Sequence, residues 1–336
     1  MRLGPAGISV TSAHRYASAA GSCWPVSIMP APGELLSSWL HRLAYANGVP
    51  PRYFGGFLGA LGENWSARLD RALPDRILGL LVQRTGVPLE DIAALTVAPD
   101  PWTRLRLPLQ PRSRETCASG RQATWLQFCP ACLAEDETPY FRRGWSLATR
   151  VSCLRHGCLL RDRCPNCGGG LAPFLQDRLL PQQICAFCAA PLVKRTLPAT
   201  PCVRRLERLL DDLLRLHAAG YGPRGRTSPV DLLGATCFRS GDARISIAYL
   251  SHVDRYRLFR RMTEDPLRVF GERKNPALDY WAHVVRVAPS WRRLTSSFAD
   301  AVLSRPAAGP RSASPRLHLT DLVQTAAQLH RKRQAP

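Results

Sequence analysis

The sequence predicts a mainly α-helical chain interrupted by small ribbon or finger modules, and three observations predict it. Apolar residues recur at helical spacing within 35–46, 73–81 and 203–214, cysteines fall in pairs two residues apart between 129 and 188, and Gly and Pro punctuate the stretches between. At 336 residues the chain exceeds the roughly 250 at which single cores stop growing, so more than one domain is expected.

Residues 1–27 carry two Arg but are broken by Gly, Pro, His and Ser, so they lack the apolar run of a secretory signal; they read as a flexible extension, or as a start placed too early. Residues 28–98 read as a helix-turn-helix-like domain. Within 30–48, Leu35, Trp39, Leu43 and Ala46 outline an amphipathic helix closing on Asn47 and Gly48. After a Gly/aromatic turn, Leu73, Ile77, Leu80 and Leu81 form a second apolar face ending at Gly86, and a short helix with Pro88 near its start follows over 87–95. That outline serves either to read DNA or to pack and bind a partner, and the packing role is the preferred reading.

Residues 99–122, rich in Pro and Arg without a sustained period, read as a linker into a cysteine-rich region at 123–198. A helical C-terminal domain is expected over 200–304. Its first helix opens at Thr200 and Pro201, carries Val203, Leu206, Leu209, Leu210, Leu213 and Leu214 on one face, and stops near Gly220; further helical patches lie at 275–287 and 290–303. Residues 305–336 read as a linker followed by a basic terminal helix at 320–329.

The formal net charge is +21 and the pI about 10.3, which points to polyanionic partners and first to nucleic acid. All basic residues except Lys194, Lys274 and Lys332 are Arg. GC-rich coding accounts for Arg in place of Lys, but not for 46 basic residues against 25 acidic ones. No run approaches the roughly 18 apolar residues of a membrane span, so a soluble, cytoplasmic, nucleoid-associated bacterial protein is expected, with no membrane partner.

Twelve cysteines in a long chain without an export signal point to metal rather than disulfides. Cys129 and Cys132 are followed after twenty residues by Cys153 and His156; seven residues on come Cys164 and Cys167, and seventeen further Cys185 and Cys188. A Cys-x2-Cys turn presents two thiolates to one tetrahedral ion about 2.3 Å away, and a second such turn completes the shell. Two structural zinc ions are expected, ligated in sequence order, with an interleaved cross-brace as the alternative. Four protein ligands leave no open position for a catalytic water. Cys158 is an alternative to His156 as fourth ligand, and Cys23, Cys117, Cys202 and Cys237 read as plain thiols. Trp125, Phe128, Tyr140, Phe141 and Trp145 read as small-lobe core rather than base-stacking platforms. Asp211 and Asp212, set among Arg204, Arg205, Arg208 and Arg215, read as a solvated salt-bridged helix face rather than a nuclease site. With no Walker phosphate loop and no nucleophile paired with a base, an enzyme is disfavoured and no catalytic or organic-cofactor residue is assigned.

With these residues in view, the segments at 30–48 and 128–171, followed by Cys185 to Cys188, resemble the TniQ family, the targeting subunits of heteromeric transposons, which includes the TnsD-type target selectors. The resemblance spans roughly residues 28–192 and implies zinc at the eight ligands named above, with Glu34, Trp39 and Arg42 as a signature serving the fold before any contact. It implies a non-catalytic adaptor that links target DNA, directly or through a CRISPR-type effector, to an AAA+ ATPase regulator of the TniB or TnsC type and through it to the transposase. It also admits a homodimer. The competing reading is a stand-alone zinc-dependent DNA-binding transcriptional regulator.

Overall fold

The computed structural model describes residues 23–60, 65–97, 105–109, 124–194, 196–218, 238–240, 243–245 and 247–264. The chain is helix-rich and divides into two compact units, each assembled from separate pieces of sequence: Met1–Ala98, Thr138–Arg143 and Ala172–Ala189 make the first, and Pro99–Glu137, Gly144–Leu171 and Ala190–Pro336 the second.

The first unit is built on α1 (Leu36–Ala46), which buries Leu36, Trp39, Leu40, Leu43 and Ala44. Ser37, Ser38 and His41 are buried too, so the helix is enclosed on more sides than an amphipathic stripe requires, whereas Ala46, expected on the apolar face, is exposed. The first-turn N–H groups of a helix have no partner within it, and Leu35 at the N-cap offers no side-chain acceptor. Distant acceptors answer instead: Leu36 N–H donates to the Leu95 carbonyl (3.1 Å) and Ser37 N–H to Asp70 Oδ1 (2.7 Å). Gly48, at φ +70°, takes the left-handed conformation that lets the chain turn away after the helix.

Around α1 lie α2 (Pro51–Phe54), a 3₁₀ turn at Ala67–Asp70, α3 (Asp75–Thr85) and α4 (Leu89–Ala93). α3 ends as its sequence predicts, with Gly86 at φ +70° donating to the Val82 carbonyl. Phe54, Leu58, Trp65, Leu69, Ile77, Leu81, Val87, Ile92, Leu95 and Phe174 complete this core. Residues expected in the flexible extension join it: Trp24 N–H donates to the Arg84 carbonyl (2.8 Å), and its ring lies 4.8 Å from that of Phe54.

In the second unit, α5 (Pro130–Glu135) starts on Cys129, and α6 (Pro201–Ala218) packs against α7 (His252–Glu264). The core joins Val203, Leu206 and Leu210 of α6 and Leu258 and Phe259 of α7 to Ala148, Val151, Leu105 and Leu107. Leu105 and Leu107 fall inside the stretch read as a linker. They are held there because Leu107 N–H donates to the Ser146 carbonyl and Ala148 N–H to that of Leu105. α7 begins with a serine N-cap: Ser251 Oγ accepts from Asp254 N–H (3.2 Å) and donates to Asp254 Oδ2 (2.7 Å). A short antiparallel ribbon pairs β1 (Phe238–Ser240) with β2 (Ala243–Ile245).

The helices expected at 275–287, 290–303 and 320–329, the linker at 305–316, the stop near Gly220, and Cys117 and Cys237 lie outside the described residues, as do the side chains of Leu209, Asp212, Leu213, Leu214 and Arg215. Among the described residues no helix is long and apolar enough to cross a membrane.

Candidate metal centres

The eight residues picked out by spacing come together as two groups of four, Cys129, Cys132, Cys153 and His156 in one and Cys164, Cys167, Cys185 and Cys188 in the other, with the donor atoms of each group within 4.8 Å of one another. The grouping follows sequence order, not the interleaved alternative.

Local backbone chemistry builds the first group. Phe128 and Arg161 exchange N–H···O bonds of 2.7 and 2.9 Å, which fixes the strand-like entry to Cys129. Pro130, pre-set for the first position of a helix, turns the chain into α5, and Cys132 N–H donates to Cys129 Sγ (3.4 Å). On the opposing turn, Gly157 N–H closes on the Cys153 carbonyl (2.8 Å) at φ +63°, and His156 N–H donates to Cys153 Sγ (3.5 Å).

The same closure recurs twice. Gly168 N–H donates to the Cys164 carbonyl at φ +72°, and Ala189 N–H to the Cys185 carbonyl at φ +56°. Three of the four ligand pairs are thus followed by a left-handed residue, and only Ala189 bears a side chain there. Asn166 N–H donates to Cys164 Sγ and Gly169 N–H to Cys167 Sγ, both at 3.4 Å, which turns the backbone of the knuckle around its sulfurs.

Donor separations test whether a metal fits. A tetrahedron with arms of about 2.3 Å has edges of about 3.8 Å, slightly less where one arm is a shorter Zn–N bond. Cys132 Sγ and Cys153 Sγ are 3.7 Å apart, and His156 Nδ1 lies 3.4, 3.3 and 3.5 Å from the sulfurs of Cys129, Cys132 and Cys153. The first group therefore has the size of a tetrahedral shell, and both groups are suited to a metal ion. His156 Nε2 is 2.9 Å from Glu135 Oε2, whose carboxylate also pairs with Arg155 (3.1 Å). A carboxylate on Nε2 holds the proton there and leaves Nδ1 as the ligand nitrogen. The hydrogen bond from His156 holds the Glu135 carboxyl below its usual range. Cys158, the alternative fourth ligand, stands outside the group. Its Sγ is 3.5 Å from Cys129 Sγ, and burial, followed by the Cys129 charge, pushes its thiol up to about 12, while Cys129 is pulled well down by the Cys132 and then the Cys153 thiol.

Buried polar groups back the segment leading into Cys153. The Glu207 carboxylate of α6 accepts from Val151 N–H (2.6 Å), Ser152 N–H (2.8 Å) and the Ser152 hydroxyl. His252 Nε2 meets the Val151 carbonyl (3.0 Å), and burial pulls this imidazole down to about 4. Gln127 donates to the carbonyls of Trp145, Leu147 and Arg150 and accepts from Arg255 Nη2 (3.0 Å). Burial lowers Arg255 to about 10, with the charges of Asp162 and Glu207 countering it. Asp211 corrects the sequence reading: it is buried and paired with Arg150 at 3.1 Å, not part of a solvated face. None of Glu207, His252 or Arg255 was marked by spacing, because their partners lie far upstream.

The signature residues sit in the first unit. Buried Glu34 accepts from Ala31 N–H (2.8 Å), Ser38 Oγ (2.8 Å) and Arg42 Nη1 (2.5 Å), and Trp39 Nε1 donates to the Ile28 carbonyl (3.0 Å). Burial raises the Glu34 carboxyl, and Arg42 opposes the rise. Phe128, Phe141 and Trp145 are buried, and Trp125 and Tyr140 are half-buried with their own partners, Leu171 O for the indole N–H and the Arg142 guanidinium over the phenol ring.

Paired knuckles thus bring four sulfur or nitrogen donors together at two places, an arrangement suited to holding metal ions. The TniQ family model matches residues 25–160, so that segment is similar to the TniQ family. The matched segment contains the Glu34 network and the whole first ligand group. No curated protein matches the chain.

Proposed function

We propose that the protein is a non-catalytic targeting adaptor of a transposition system. The family match implies a transposition-associated role, and the observation that supports the finer reading is that the described part of the matched segment, 25–160, holds the buried Glu34 network and one complete four-donor ligand group. Zinc, held by Cys129, Cys132, Cys153 and His156 and by Cys164, Cys167, Cys185 and Cys188, supplies the cross-links that fix the surrounding loops, worth roughly 10–16 kcal/mol of apparent binding energy per site. The chain's own residues present surfaces: one to target DNA or to a guide-RNA effector bound there, and one to an AAA+ ATPase that brings the transposase. The first unit, with its helix-turn-helix-like pair α3 and α4, serves as the packing and partner-binding unit in this reading.

The test is capture of the AAA+ ATPase of the same transposon by the zinc-loaded full chain, with and without DNA. Capture supports the adaptor. Absence of capture in both conditions, together with binding to promoter DNA, favours the zinc-dependent transcriptional regulator.

A further inference from the structure

α6 and α7 sort their charges in one direction. Glu207, Asp211 and Asp254 are buried, each held by a partner inside the second unit, and Arg255 is buried with them. Arg204, Arg205 and Arg208 of α6 and Arg257, Arg260 and Arg261 of α7 are exposed. Every exposed charged side chain described on these two helices is an arginine. The helices pack together, with Thr263 in the last turn of α7 near enough to Cys202 in the first turn of α6 to help lower its thiol, which brings Arg204 and Arg205 to the same end as Arg260 and Arg261. That end adjoins the first ligand group. Ala199 N–H donates to the Gly157 carbonyl (2.9 Å), and the Arg204 guanidinium lies over Gly157, where a Cβ would meet it.

We propose that this arginine face of α6 and α7 binds the phosphate backbone of duplex DNA, without reading bases. The choice of DNA rests on the transposition reading; the choice of phosphate rests on the face itself. Arginine forks match phosphate oxygens in pairs. The fourfold spacing from Arg204 to Arg208 and from Arg257 to Arg261 sets guanidiniums about 6 Å apart along each helix, far enough to take separate phosphates of one strand, which recur every ~3.4 Å of the DNA axis. Single-stranded nucleic acid is held on exposed aromatic platforms, whereas Phe259 is buried and Tyr256 half-buried. A membrane surface needs an exposed apolar face, and the Leu and Val residues of α6 that are described face the core.

The test compares full-length, zinc-loaded proteins for binding to a random-sequence duplex across 50–200 mM salt. The variant Arg205→Ala, Arg208→Ala, Arg261→Ala spares Arg204, which packs on Gly157, and Arg257, which pairs with Asp254 (3.5 Å). With each phosphate contact contributing about 0.9 to the log–log salt slope, it is expected to lose about 2.7 from that slope, so that its salt sensitivity over this range falls about 40-fold relative to the parent. A control that removes the same charge from the first unit, Arg52→Ala, Arg68→Ala, Arg178→Ala, is expected to keep the slope. The triple Arg→Lys variant at 205, 208 and 261 keeps the charge and is expected to retain the slope, which guards against a folding defect in the alanine variant.

An unchanged slope in the alanine triple, or an equal loss in the control, overturns the assignment to this face. Preference of the same three arginines for single-stranded RNA, anionic vesicles or an acidic polypeptide over duplex DNA overturns the choice of DNA. ATPase capture is measured on the same variants: capture that persists while DNA binding proves absent sinks this inference and leaves the adaptor reading intact.

Discussion

Replacing Glu207 by alanine removes a single carboxylate from α6, yet the expected damage falls on a ligand turn 55 positions upstream. The carboxylate accepts from two backbone N–H groups, Val151 at 2.6 Å and Ser152 at 2.8 Å, and from the Ser152 hydroxyl, all in the buried run that leads directly into Cys153. Alanine leaves both N–H groups buried without an acceptor, at about 1–3 kcal/mol each, and opens a small void. A loss of roughly 3–6 kcal/mol follows, which moves the melting midpoint of a chain of this size by on the order of 10 °C. Because Ser152 adjoins Cys153, zinc is expected to transfer to a chromogenic chelator with affinity weakened about 10-fold or more. Glu207→Gln is the informative partner. The amide oxygen can take both N–H groups and the hydroxyl can turn to accept, so the expected cost is only about 1–2 kcal/mol, the charge-assisted part of the bonds. Scanning calorimetry and chelator competition on both variants check this. An alanine variant that melts with the parent and keeps its zinc refutes the reasoning.

Cys132→Ser is expected to lower bound zinc from two ions per chain to one and to unfold the lobe around α5, whereas Cys158→Ser, outside the donor group, keeps both ions; native mass spectrometry reads each result. Ala189→Gly is expected to stabilise by about 1 kcal/mol, since Ala189 occupies the left-handed position that glycine holds after the two comparable turns, and a lower urea midpoint would contradict this. Burial pulls His41 down to about 4 from an ordinary 6.5. A depressed imidazole keeps its full stabilising effect above pH 6.5 and loses it as pH falls towards 4, at most about 3 kcal/mol. Urea unfolding at stepped pH should therefore show a weaker acid loss in His41→Gln than in the parent, and parallel curves would count against it.

Local pattern made part of this fold legible. The spacing of Leu35, Trp39 and Leu43 and the glycines at 48 and 86 located α1 and α3, because periodicity and left-handed turns are written within a few residues. Ligand spacing located both metal groups for the same reason. α7 was missed because its inward positions include His252, Asp254 and Arg255, so its buried side reads as polar. Leu105 and Leu107 were hidden by the Pro and Arg around them. Asp211 looked like a solvated carboxylate because its partner, Arg150, is 61 residues away, and no window of sequence shows that pairing. The TniQ match likewise stops at residue 160, ahead of every group on α6 and α7 that supports the first ligand set.

The order of synthesis gives the Glu207 contact a further meaning. When Cys153 and His156 leave the ribosome, the acceptor for Val151 and Ser152 is still some 55 residues from being made, the His252 ring that meets Val151 is 101 residues away, and the Arg255 partner of Gln127 is 128 residues away. At about 5–20 residues per second these waits run from several seconds to roughly half a minute. Over that interval the nascent first knuckle has all four of its donors, from 129–156, but none of this backing, so any ion bound then precedes the helices that hold the turn.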